Sequence, residues 1–188
     1  MRLFVAVDLP GEIREKLATL LARLKREITG PKWVRAEGIH LTLRFLGEVG
    51  ETELPRLRAA LSSVADGAVH GFDVTVEGLG LFPERGRPRV LWIGLHEETG
   101  ALGALQHRIE LAVREAGLPG IKVEEGSFRP HLTLARLGET KPSIPIRDFV
   151  EAGHAENLGA VEVSAVTLFQ SLPGPGGAQY RVIQEYSL

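Results

Sequence analysis

His40 and His131 each stand two residues before a threonine, inside the near-identical octapeptides HLTLRFLG (40–47) and HLTLARLG (131–138), in a chain with only six histidines. Paired imidazoles suit a reaction in which one group removes a proton from a nucleophile while the other donates a proton to a leaving oxygen, both near neutral pH. The hydroxyls of Thr42 and Thr133 can donate hydrogen bonds to the non-bridging oxygens of a group whose negative charge must be held during displacement, a phosphate above all. This chemistry needs no metal, and no cluster of His, Asp and Glu has ligand spacing. No cofactor is expected. A core made of repeated leucine-rich strands would account for the leucines of both motifs but not for the histidine and threonine between them. His70, His96, His107 and His154 have no such echo and read as surface or packing residues.

If each motif is a strand, alternation places His40, Thr42 and Arg44 on one face and Leu41, Leu43 and Phe45 on the other. The same count sets His131 and Thr133 against Leu132 and Leu134. The leucine faces supply burial, and the polar faces are free to meet across a cleft.

The surrounding chain repeats too. RLFVAV (2–7) resembles RVLWIGL (89–95) at an offset of 87, and VTVEGLGLF (74–82) matches VEVSAVTLF (161–169) at the same offset, while the histidine motifs lie 91 apart. Three landmarks in one order at nearly constant offset indicate an internal duplication, with repeat 1 over about 2–88 and repeat 2 over about 89–180. The tail, 180–188, reads as the start of a third copy of the first strand and closes a single bilobal domain over 1–188. Apolar residues at helical spacing, Ile13, Leu17, Leu20, Leu21, Leu24 and Ile28, predict a helix over 11–28; Leu102, Leu105, Ile109, Ala112 and Val113 predict another over 99–117. PERGRP (83–88) and PGPGG (173–177) read as loops between antiparallel strands. Arg85 and Arg87 in the first of these, with Arg89 directly after it, would either grip a nucleic-acid strand or form a solvated hairpin tip. Residues 138–160 suggest a surface loop before a short helix. The expected fold is α+β: two pseudo-symmetric lobes, each a small, mostly antiparallel sheet with helices, around a central cleft.

At 188 residues with 44% hydrophobic content the chain can bury a sizeable core, and without cysteine it has neither disulfides nor a thiol nucleophile. A cytoplasmic location follows as the expectation. The N-terminal apolar run is cut by Asp8 and Pro10, and no stretch is long enough to span a bilayer. A net charge near −2 argues against a protein that lies along many phosphates, and leaves a nucleic-acid end open as a substrate.

With RLFVAVDLP at the start, HLTLRFLG, and FRPHLTLARLG, the chain resembles the 2H phosphoesterase superfamily, and most closely its RNA 2′,3′-cyclic phosphodiesterase group, also called 2′-5′ RNA ligases. The resemblance implies hydrolysis of an RNA terminal 2′,3′-cyclic phosphate to a 2′-phosphate, with reversible, ATP-independent 2′-5′ ligation. It implies His40 as the general acid toward the leaving 3′ oxygen, His131 as the base that activates water, and Thr42 and Thr133 as phosphate ligands. Arg136 matches the arginine of an H-x-T-x-x-R pattern, as a further phosphate ligand; strict alternation places it opposite His131 and favours Arg129 instead, but Arg136 is preferred because a long side chain at a strand end or bulge can reach round. The expected partners are RNA ends, tRNA halves among them, met by a monomer away from membranes. The competing readings are a phosphodiesterase acting on another small cyclic phosphate or a 2′-5′ oligonucleotide, and a non-catalytic module that holds RNA ends.

Overall fold

A computed structural model describes residues 1–66, 70–121, 126–138, 142–152, 156–174 and 177–188. Its strands form two antiparallel sheets. The first has the order β3 (Leu41–Glu48), β1 (Arg2–Val7), β8 (Ala165–Gly174), β9 (Gly177–Ser187); the second has β2 (Lys32–Trp33), β6 (His131–Arg136), β5 (Val90–His96), β4 (Phe72–Phe82), β7 (Asn157–Val163). Each sheet pairs a leading strand with a histidine-motif strand on one side, β1 with β3 and β5 with β6.

The other neighbour of each leading strand comes from the opposite half of the chain. β4, which ends the first repeat, pairs with β5, and β8, which belongs to the second, pairs with β1. Thus neither sheet is built from one repeat. Where β4 and β7 run together, Val74 lies opposite Val161, its own counterpart at the 87-residue offset. An antiparallel pairing of equivalent residues places a local two-fold between them. The tail strand β9 does not occupy a third leading position: β1 already holds that edge of β8, and β9 adds to the other edge, Phe169 opposite Val182.

α1 (Gly11–Glu27) and α3 (Ala101–Glu115) form where helical periodicity placed them, and the predicted stripes are buried, Ala112 being half-buried. Burial of each such leucine or isoleucine contributes about 1.5–3 kcal/mol, which fixes the rotation of each helix about its axis. Both helices pack across the repeats: α1 meets β7 and α3 meets β3. A third helix, α2 (Leu54–Val64), has Pro55 in its first turn and buries Leu57, Leu61 and Val64, and it lies against α3. In the stretch of 138–160, α4 (Ile146–Glu151) is the expected short helix. One continuous core contains Leu3, Val5 and Val7 of β1, Leu41 and Leu43 of β3, and Leu132 and Leu134 of β6. The leucine faces of both motifs are therefore buried together, which leaves their histidine faces turned away from the core.

Candidate active site

The two motif strands are in contact with each other and carry the same irregularity. In β3, Thr42 pairs with Ala6 and Arg44 with Val5, so Leu43 is an extra residue without a partner. In β6, Thr133 pairs with Trp92 and Ala135 with Leu91, so Leu134 is the extra residue. Both are β-bulges at the fourth letter of HLTL, and a bulge moves every later side chain to the other face. Arg44 therefore does not share a face with His40 and Thr42. It is turned inward, 2% exposed, and its guanidinium pairs with Glu110 of α3. Phe45 emerges on the histidine face instead, 59% exposed.

The same shift fixes the face on which Arg136 stands. Arg136 pairs with Val90, two residues from Trp92 on β5, and so shares the face of Thr133 and His131. Arg129 precedes the strand, pairs with Glu84, and holds its guanidinium 4.7 Å from the centre of the Phe82 ring. Arg129 acts on His131 directly, through its carbonyl and its charge, whereas Arg136 stands further along the same face and its side chain has no ion pair among the described residues.

Each histidine is anchored in the same way. His40 Nδ1 lies 3.0 Å from the carbonyl oxygen of Gly38, and His131 Nδ1 lies 2.7 Å from that of Arg129, in both cases the residue two places earlier. A carbonyl only accepts, so Nδ1 carries the hydrogen and Nε2 is left as the atom that takes or gives a proton. Packing fixes the ring planes. His40 stacks on Phe4 at 4.7 Å between centroids and meets Tyr180 edge-on at 4.9 Å; His131 meets Phe82 edge-on at 4.9 Å and tilts against Trp92 at 6.3 Å. Phe4, Ala6 and Phe169 form a small apolar cluster separate from the main core.

This apolar surround sets the protonation state. Burial pushes the His40 pKa down to about 4, against the opposing pull of its Gly38 hydrogen bond and of Asp8, with Arg14 adding to the fall. His131 is also lowered, by burial first and by the Arg129 charge, while the hydrogen bond to the Arg129 carbonyl opposes. Both imidazoles are neutral near pH 7. Both rings are desolvated by aromatic neighbours.

Thr42 and Thr133 are half-buried on the histidine faces, and neither hydroxyl has a hydrogen-bond partner among the described residues. Across the sheets the equivalent rows read Thr42, Ala6, Thr167 and Thr133, Trp92, Gly80. Trp92 lies so close over Gly80 that a Cβ there would sit 2.1 Å from the indole ring, which is why that strand position lacks a side chain. Phe4, Phe82, Trp92, Phe169 and Tyr180 were not foreseen as part of the site. A signal existed for two of them: Phe82 and Phe169 end the V-x-V repeats at the 87-residue offset, and both prove to face a histidine.

Of the other histidines, His70, His96 and His107 are exposed, as expected, and His154 lies outside the described residues. Among the described residues no group of three His, Asp or Glu side chains is placed to hold a metal ion, and no helix is long and apolar enough to cross a membrane.

Residues 7–92 and 93–180 each match the family model of LigT-like phosphoesterases, one copy after the other. An Archaeoglobus fulgidus protein named RNA 2′,3′-cyclic phosphodiesterase is 38% identical over 186 residues, covering 99% of both chains. A Thermus thermophilus protein of the same name is 34% identical over 193 residues, covering 100% of this chain and 90% of its own. Among solved structures, a Thermus thermophilus protein superposes with a TM-score of 0.78 at 31% identity over 100% of this chain and 98% of its own. E. coli LigT complexed with 3′-AMP gives 0.78 at 27% identity, covering 100% and 97%.

Proposed function

Since the chain belongs to the LigT-like phosphoesterase family, we propose that it hydrolyses the terminal 2′,3′-cyclic phosphate of RNA to a 2′-phosphomonoester, by acid–base catalysis between His40 and His131. The observation that carries this reading is the matched anchoring of the two rings, each with Nδ1 held by a backbone carbonyl and Nε2 left for proton transfer, on a face that also holds a threonine hydroxyl with no partner among the described residues.

In the hydrolytic direction His131 Nε2 takes a proton from water as the water oxygen bonds to phosphorus. The bond from phosphorus to the 3′ oxygen breaks, and His40 delivers its proton to that oxygen. The product is a 3′-hydroxyl with the phosphate on the 2′ oxygen, and each imidazole finishes in the other's starting protonation state. Thr42 and Thr133 hold the non-bridging oxygens, and Arg136 reaches the same group from the end of the bulged strand. A lowered pKa suits His131, which must start neutral. His40 must start charged, and the bound phosphate's negative charge supplies the stabilisation that the aromatic surround alone does not. With a 5′-hydroxyl RNA in place of the attacking water, the same groups acting in the same direction would form a 2′-5′ bond without ATP, and in the reverse direction would cleave it. The protein would act as a monomer on RNA ends in the cytoplasm, where a cysteine-free chain needs no protection from a reducing environment.

The test is incubation with an oligoribonucleotide ending in 2′,3′-cyclic phosphate, in EDTA, followed by separation of the terminal nucleotides. Predominant 2′-phosphate is expected; 3′-phosphate would reverse the two histidine roles, and no turnover would favour an end-binding module.

A further inference from the structure

Lys32 lies directly opposite Arg136 in the short pairing of β2 with β6, next to Trp33 opposite Ala135. Residues directly opposite in an antiparallel pair point to the same side, with Cβ atoms about 5 Å apart, and like charges so placed destabilise a sheet. Because the bulge at Leu134 brings Arg136 onto the histidine face, it brings Lys32 there as well. Among the described residues neither cation has an ion pair or a side-chain hydrogen bond, whereas Arg129 nearby is paired with Glu84. Two adjacent cations on the histidine face, with no acidic partner among the described residues, form a site for an anion. In the other lobe the position equivalent to Arg136 is Phe45, so the charge is confined to one wall.

The row of Lys32 and Arg136 is displaced from the row of Thr133 by two residues of β5, from Trp92 to Val90, or about 7 Å. That is the scale of one nucleotide repeat in an extended strand. Lys32 is also on the outermost strand of its sheet, so a chain passing it leaves the site over an open edge.

We propose that Lys32, with Arg136 beside it, binds the phosphodiester immediately upstream of the terminal nucleotide, and so selects the ends of RNA chains over cyclic mononucleotides. This rests on the proposed function. Arg136, with five donors in a fork, links the two phosphates, while Lys32 contacts only the upstream one. Lys32 is a specificity-determining residue on this account and takes no part in proton transfer.

The experiment compares kcat/KM for a dinucleotide ending in 2′,3′-cyclic phosphate with that for the corresponding 2′,3′-cyclic mononucleotide, in wild type, Lys32→Ala and Lys32→Arg. Lys32→Ala is expected to lower the dinucleotide-to-mononucleotide ratio about 10-fold, the scale of one charge-assisted phosphate contact, and Lys32→Arg to restore most of it. The slope of log kcat/KM for the dinucleotide against log salt should become shallower by about 0.7 in Lys32→Ala. An unaltered ratio, or an equal loss on both substrates, overturns the clamp. If wild type turns over neither substrate, the proposed function fails instead. The clamp is then read from the salt dependence of equilibrium binding of a dinucleotide carrying a 2′-phosphate, where equal slopes for wild type and Lys32→Ala would overturn it.

Discussion

Acidifying the protein from pH 7 to pH 5 should cost it about 2 kcal/mol of stability through His40 alone. The ring is neutral when folded, with a pKa of about 4, because Phe4, Phe169 and Tyr180 exclude water from it. In the unfolded chain it returns to the ordinary value of about 6.5. Between those values the unfolded state binds the extra proton, so stability rises with pH across the window and is lost as pH falls through 6.5 toward 4. At pH 5 the unfolded ring is almost fully protonated and the folded ring mostly neutral. About 1.5 pH units of linkage at 1.36 kcal/mol each give the figure of about 2 kcal/mol, rising to about 3 at pH 4. The assay is urea unfolding of wild type and His40→Gln at both pH values, at constant ionic strength. Carboxylates titrate alike in both proteins, so the difference between them isolates the imidazole. The gap should move by about 2 kcal/mol in favour of the variant on going to pH 5. A gap independent of pH would refute the claim that the aromatic pocket keeps the ring uncharged. The same reasoning gives a second readout, since an anion beside Nε2 must draw a proton onto the ring. Calorimetric titration with inorganic phosphate in buffers of different ionisation enthalpy should show proton uptake near neutral pH.

His40→Ala and His131→Ala are each expected to lower turnover of a cyclic-phosphate RNA about 100-fold or more, with the double variant scarcely worse, because the two groups act as a unit; single-turnover kinetics measure this. Activity should persist through exhaustive chelation, and a loss in EDTA restored by a divalent ion would contradict the two-histidine account. Glu110→Ala leaves the inward-turned Arg44 charge without its carboxylate and should destabilise by about 3 kcal/mol in denaturant melts, while Arg44→Met with Glu110→Leu should recover most of that. Gly80→Ala forces Trp92 off its strand and should alter tryptophan fluorescence together with activity, since Trp92 adjoins His131.

Helical periodicity located α1 and α3 because their apolar residues recur at one uninterrupted interval, and the duplication with its two His-x-Thr pairs was visible because identical letters stood at a constant offset. Faces within the motif strands were misread after Thr42 and Thr133. Counting by twos presumes an unbroken ladder, and the bulges at Leu43 and Leu134 depend on the neighbouring strands, which the local sequence does not name. The consequence is specific: Arg44 went to the wrong face, and the choice between Arg129 and Arg136 stayed open. α2 was passed over, although Leu57, Leu61 and Val64 recur at helical spacing. Offsets reveal which segments are alike and not which segments touch, so the crossing of β4 and β8 between sheets was also hidden. The rings around the histidines come from five separate strands, and only the register brings them together.

The exchange of β4 and β8 bears on ancestry. A polypeptide half this length, carrying one leading strand, one motif strand and one V-x-V strand, would hold its third strand out to a sheet it does not possess, and two copies would satisfy each other around the axis now marked by Val74 and Val161. Such a progenitor is an interlocked homodimer with one histidine on each wall, and fusing its copies end to end freed the walls to diverge, so that one of two aromatic walls carries the adjacent Lys32 and Arg136. The present chain keeps that interdependence: cut between residues 83 and 89, the two fragments should fold only in each other's company, and mixing them should restore both sheets together.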